Sequence, residues 1–110
     1  MNIKIELFEN DRAIEVYVHG EIDAYTAPEL REILFPLSKK DEVQMVVDLT
    51  DVDYMDSTGL GVFVGIFKNI RAKSGELRLV GLSNRLKRLF EITGLADIMD
   101  INSPIEGEVE

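Results

Sequence analysis

The sequence has no cysteine, no tryptophan, a single histidine and only three prolines in 110 residues. Without thiols there is no disulfide and no thiolate metal site, a usage that fits the cytoplasm. One imidazole, His19, excludes a histidine-rich metal centre. No apolar run approaches the ~20 residues that span a bilayer. The start, Met1-Asn2-Ile3-Lys4, lacks the basic and apolar regions of a secretion signal, so a soluble cytoplasmic protein is expected. A Gly-x-x-x-x-Gly-Lys phosphate loop is missing. Positive charge is scarce too. Twelve Lys and Arg against 21 Asp and Glu give a net charge of −9, which argues against nucleic acid and anionic membranes as partners.

What is present suffices for one hydrophobic core. An apolar fraction of 45% and a charged fraction of 30% are ordinary for a folded domain of this length. The charge is unevenly spread: residues 1–66 hold 5 basic and 14 acidic side chains, a balance of −9, while residues 67–110 hold 7 of each. For most of these acids solubility is the expected role; the alternative is that they make the surface near Ser57 negative, so that an added phosphate would repel an acidic partner.

Period-two alternation marks Ile3, Ile5 and Leu7 as one strand and Ile14, Val16 and Val18 as the next. A polar turn, Glu9-Asn10-Asp11, joins them as an antiparallel hairpin that Gly20 ends, and residues 21–25 form a loop. Thr26 with Glu29 three residues on reads as a capping box. Leu30, Ile33, Leu34 and Leu37 give one apolar helix face, and Pro36 should end or kink that helix. Ser38 to Glu42 reads as a charged loop. Val43 to Leu49 suits a central strand covered on both faces.

A second helix begins near Ser57, with Leu60, Phe63, Val64, Phe67 and Ile70 inward. Gly61 and Gly65 share one side of it, where close approach of another backbone, the sheet before a partner, would justify them. Ser74-Gly75 turns into a strand at Leu77 and Leu79. Ser83 caps a third helix that buries Leu86, Leu89 and Phe90 and stops at Thr93-Gly94. Residues 98–101 form a short edge strand. The order β-β-α-β-α-β-α-β predicts an α/β fold, a small mixed sheet with helices packed on it. Residues 1–102 make the domain, and residues 103–110, with three glutamates, a frayed acidic tail. The apolar faces account for nearly all large apolar residues, so a monomer is expected.

Chemistry concentrates at Asp56-Ser57-Thr58-Gly59. Ser57 sits where a buried strand ends and a helix starts. Free backbone N–H groups and the positive helix end there would receive a phosphate. Read alone, Ser57 is a helix N-cap, a common position for serine. A hydrolase elbow, Gly-x-Ser-x-Gly, is not matched, because residue 55 is Met55 and the only imidazole lies on a strand. Asp48, Asp51, Asp53 and Asp56 raise a rival, a magnesium-dependent domain phosphorylated on Asp48 or Asp56. Its expected β-α-β opening conflicts with the hairpin. Arg85, Lys87 and Arg88 form the solvated side of the third helix.

The stretch Tyr54-Met55-Asp56-Ser57-Thr58-Gly59-Leu60-Gly61-Val62-Phe63 resembles the phosphorylation motif of the STAS-domain anti-sigma factor antagonists. Gly20-Glu21-Ile22-Asp23, Val46-Val47-Asp48-Leu49 and Arg88-Leu89-Phe90-Glu91-Ile92-Thr93-Gly94-Leu95 match as well, so the resemblance covers all but the tail. The motif is most similar to the sigma-B general-stress branch, with the sporulation branch close behind. The resemblance implies a STAS (SpoIIAA-like) fold and a regulatory binding protein, not an enzyme, without a cofactor or metal. Its unphosphorylated form would bind an anti-sigma factor that is also a serine kinase, freeing a sigma factor. Phosphorylation of Ser57, with Thr58 the weaker candidate, would end that binding, and a PP2C-type phosphatase would restore it. Glu21, Asp23, Asp56, Ser57, Thr58, Gly59 and Gly61 are the implied partner interface. A STAS module serving a partner outside sigma-factor control is the other reading.

Overall fold

A computed structural model of the chain describes residues 2–101. Two strands open it, β1 (Ile3–Asn10) and β2 (Ala13–Ile22). Then follow helix α1 (Ala27–Ser38), strand β3 (Gln44–Met55), helix α2 (Ser57–Ala72) and strand β4 (Glu76–Val80). Helix α3 (Asn84–Ile92), a short 3-10 turn (Leu95–Asp97) and strand β5 (Asp100–Ile101) complete it. The five strands lie in sequence order, β1-β2-β3-β4-β5. β1 and β2 are antiparallel, and the other pairs are parallel. The element order and the mixed sheet agree with the pattern in the sequence. The tail from residue 103 lies outside the described residues.

The core lies between one face of the sheet and the helices. Ile14, Val16 and Val18 of β2, Met45, Val47 and Leu49 of β3, and Leu77 and Leu79 of β4 point into it, all nearly inaccessible. Leu30 and Leu34 of α1, Phe63, Ile66 and Ile70 of α2, and Leu86 and Phe90 of α3 meet them. Phe63 and Phe90 pack edge-on with centroids 6.4 Å apart. A fully buried Leu, Ile or Phe contributes about 1.5–3 kcal/mol, so this layer sets the fold.

The expectation that β3 is covered on both faces fails. Gln44 and Thr50 are exposed, and Val46 and Asp48 only half-buried, while their neighbours Met45, Val47 and Leu49 are buried. The three helices of the described residues take one side, and no described helix covers the other. β3 also runs on to Met55, six residues past the apolar stretch.

Other boundaries move for local reasons. The hairpin turns at Asp11-Arg12, with Asp11 at φ 60°, and β1 keeps Glu9 and Asn10. Gly20 does not end β2. It sits at a register irregularity with φ 110°, where a side chain would strike the Asn2 carbonyl. Glu21 and Ile22 then resume pairing with Tyr54 and Met55.

The Thr26 capping box does not form. The Thr26 hydroxyl donates to the Glu21 carbonyl at 2.7 Å and accepts the Asp23 N–H at 2.9 Å, so it is spent on the preceding loop. α1 runs two residues past Pro36. Ser38, expected in a loop, is its buried last residue, with Oγ donating to the Phe35 carbonyl and accepting from Asn69 of α2. α2 buries Val62 and Ile66 where Val64 and Phe67 were expected, and these two are half-buried. Gly65 faces the Phe35 ring of α1, 2.5 Å from the position of a Cβ, rather than the sheet; Gly61 faces open space. Ser83 and Gly94 do cap α3 as expected, Ser83 Oγ accepting from the Leu86 N–H and Gly94 at φ 80°.

Candidate functional site

The site lies where β2 and β3 end and α2 begins. The Asp56 N–H donates to the Ile22 carbonyl at 3.3 Å, which ties the last residue of β2 to the helix entry. Gly59 makes that approach possible. A Cβ there would sit 2.7 Å from an Ile22 methyl and 2.8 Å from Met55 Cγ. Any larger residue would push the first turn of α2 away from both strand ends.

The N-cap of α2 is Asp56, not Ser57. Asp56 is extended, and its Oδ1 accepts from the Thr58 N–H at 2.9 Å and the Gly59 N–H at 3.3 Å. The reading of Ser57 as a plain cap is thereby replaced. The expectation of free N–H groups is narrowed, because the carboxylate already holds those of Thr58 and Gly59. Ser57 is the first helical residue and exposed, and its hydroxyl bonds no described residue. Thr58 is exposed beside it, and Gly61 is exposed one turn on.

The loop after β2 stands opposite. Asp23 is 9% exposed. Its Oδ1 accepts the Tyr25 N–H at 2.9 Å and the Thr26 N–H at 3.0 Å. Burial alone would raise its pKa, but the N–H groups of Thr26 and Tyr25, with the Thr26 hydroxyl, outweigh burial and hold it below the ordinary carboxylate value. Asp23 thus shapes the loop. The loop's exposed group is Tyr25, 85% accessible, with Tyr54 of β3 44% accessible. Glu21, Asp23, Ala24, Tyr25, Tyr54 and Asp56 line one open depression.

These two tyrosines are the part of the site that sequence reasoning missed. The signal available was position: Tyr54 lies between the inward Val52 and Met55, and Tyr25 next to the Gly-Glu-Ile-Asp stretch. An exposed aromatic beside an interaction motif is a common anchor of protein interfaces.

The aspartates thought able to hold a metal are dispersed. Asp48 Oδ1 accepts from the Thr50 N–H, Asp51 lies 2.8 Å from His19 Nδ1, and Asp56 caps α2. Among the described residues no three carboxylate or imidazole groups gather as a metal site. His19 is half-buried in β2 and bridges two strands, its Nε2 3.1 Å from Glu6 of β1.

Comparison with known proteins fits this arrangement. A STAS domain family model matches residues 4–109. The anti-sigma-B factor antagonist of Listeria monocytogenes is 56% identical over 99% of this chain and 96% of its own. The anti-sigma-B factor antagonist of Bacillus subtilis is 52% identical over the full length of both. The structure of the anti-sigma factor antagonist SpoIIAA in its unphosphorylated form has the same fold, with TM-score 0.73 at 19% identity over 96% of this chain and 93% of that one. SpoIIAA in its phosphorylated form gives TM-score 0.73 at 20% identity, over 94% and 96%. This chain belongs to the STAS-domain family, among the anti-sigma-B factor antagonists.

Proposed function

We propose that the protein is an anti-sigma factor antagonist that acts by partner switching through Ser57. Unphosphorylated, it binds an anti-sigma factor that is also a serine kinase, and so releases a sigma factor of the sigma-B stress type. The kinase transfers a phosphoryl group from ATP to Ser57, the complex dissociates, and a PP2C-type phosphatase resets the protein. The protein itself is a binding module without catalysis, working in the cytoplasm. The names of the Listeria and Bacillus relatives support the antagonist role.

One observation carries the choice of site. Ser57 is exposed, its hydroxyl bonds no described residue, and it directly follows Asp56, which with two tyrosines and two further carboxylates lines an open depression. The exposure of Ser57 at the first turn of α2 leaves its hydroxyl oxygen open to a kinase, with at most fraying of the turn. Glu21, Asp23, Asp56, Thr58, Gly59 and Gly61 would surround the contact, with Tyr25 and Tyr54 as its apolar anchors. Phosphorylation adds about −1.5 to −2 charges. Placed next to Asp56, that charge must be desolvated among carboxylates whenever the partner returns. Like charges brought together at an interface cost several kcal/mol, and each ~1.4 kcal/mol is a factor of ten in affinity.

The test is intact-mass analysis after incubation with ATP and the cognate kinase, with Ser57→Ala alongside. One phosphate on the parent and none on the variant is expected. It should survive acid and hydroxylamine, which an acyl phosphate on Asp48 or Asp56 would not. A phosphate retained by Ser57→Ala would move the site to Thr58 or an aspartate.

A further inference from the structure

The open face of the sheet is laid out as a binding surface. Its residues are set by strand register. Phe8 stands opposite Glu15, which pairs with Val46; Glu6 stands opposite Tyr17, which pairs with Asp48. Phe8 is 58% exposed and meets the half-buried Tyr17 ring edge-on at 5.8 Å. The two cations of this face are engaged: Lys4 lies 3.8 Å from Glu6, and Arg78 3.1 Å from Asp100. Glu15 and Asp48 are left with no cation of their own among the described residues. Their field is felt locally: Glu15 first, then burial and Asp48, raise the Tyr17 pKa.

We propose that this face is a second interaction surface, separate from the Ser57 site, and that its occupant is a protein surface carrying arginine or lysine around an apolar centre. Charge selects among the possible occupants. A second copy would set Glu15 and Asp48 against the same residues, and nucleic acid or an anionic bilayer would add phosphates to an acidic face. A basic partner instead meets the carboxylates of Glu15, Glu6 and Asp48 interleaved with the Phe8 and Tyr17 rings, and aromatic residues are enriched in protein interfaces. Arginine also stacks on such rings.

Position keeps the two surfaces apart. The helices, with Ser57 at the entry of α2, lie across the other face. Val46 is nine residues before Met55 along β3, roughly 30 Å at 3.3 Å per residue. A partner held on the open face therefore stays bound in both phosphorylation states, which makes it suited to tethering the antagonist rather than switching it.

The probe is a synthetic peptide of alternating arginine and leucine, titrated into the isotope-labelled full chain and followed by amide and aromatic shifts. The expected shifts centre on Phe8, Glu15, Tyr17 and Val46. Phe8→Ser, at a position exposed enough to leave the fold intact, should weaken binding at least tenfold, as should Glu15→Lys. Ser57→Asp should change it less than twofold. Shifts centred on Tyr25 and Tyr54 instead, equal binding by Phe8→Ser, or equal binding of a peptide with glutamate in place of arginine would overturn the proposal. So would concentration-dependent self-association lost in Phe8→Ser, which would make the occupant a second copy. None of these outcomes depends on whether Ser57 is phosphorylated.

Discussion

The Asp56 carboxylate already occupies the place that a phosphate on Ser57 would take at the start of α2. It satisfies the Thr58 and Gly59 N–H groups and sets a negative charge next to the hydroxyl proposed as the phosphoacceptor. Removing it separates these two effects. Asp56→Ala should lower stability by about 1 kcal/mol, the usual cost of an N-cap, whereas Asp56→Asn keeps the acceptor and should cost less. Urea unfolding of the three proteins checks this, and equal loss in both variants would mean that charge rather than capping matters at this position. Asp23 offers a pH-dependent counterpart. Its carboxyl is held below the ordinary value of 3.8 by the Thr26 and Tyr25 N–H groups. The stability it contributes is therefore fully present above that value and is lost as pH falls through the lower folded value. Asp23→Asn should melt below the parent at neutral pH, and the gap should close from about pH 4 downward. A gap that is constant with pH would show that the amide substitution, not the charge, causes the loss.

Along α2 the glycines have opposite uses. Gly59 is buried against Ile22 and Met55, and its missing side chain lets the helix start at the strand ends. Gly59→Ala would overpack that junction and should cost about 1–3 kcal/mol. Among the described residues nothing lies within 4 Å of the place a side chain at Gly61 would start. Gly61→Ala in an exposed helical position should gain up to ~1 kcal/mol. If Gly61 belongs to the kinase contact, the same substitution lowers binding while raising the melting temperature. Thermal melts with binding titrations decide both; a destabilised Gly61→Ala would contradict the open geometry. Such differences could not be read from the sequence, where both glycines appear as pauses in one apolar helix. The same holds for Thr26 and Ser38. The sequence shows a hydroxyl at a suitable offset, but the partner each takes, Glu21 or Phe35 and Asn69, depends on the tertiary path of the chain.

For the molecule as a whole, alternation and helical spacing were enough to order the elements, because inward positions such as Ile14, Val16, Leu30 and Phe90 are strongly apolar. The open face of the sheet was less legible, since Val46, beside Met45 and Val47, makes β3 look covered on both sides. Tyr25 and Tyr54 were missed for the converse reason: the only signal was position, Tyr54 between the inward Val52 and Met55 and Tyr25 in a loop without alternation, and it is weaker than an apolar pattern. This one-sided architecture bears on how the proposed phosphorylation would act. Ser57 lies at the rim, above a core that does not use it. A phosphate there competes with Asp56 for one cap, a term of about 1 kcal/mol, against a typical domain stability of about 5–15 kcal/mol. The phosphorylated protein should thus melt within about 4–8 °C of the parent, the shift that ~1 kcal/mol produces in a domain of this size. Kinase binding, which concentrates the new charge among Asp56, Glu21 and Asp23, should fall by two orders of magnitude or more. Calorimetric melting and binding titration on the same phosphorylated sample separate the two. If melting dropped by tens of degrees, loss of binding would be a consequence of unfolding, and repulsion at the interface would no longer explain the switch.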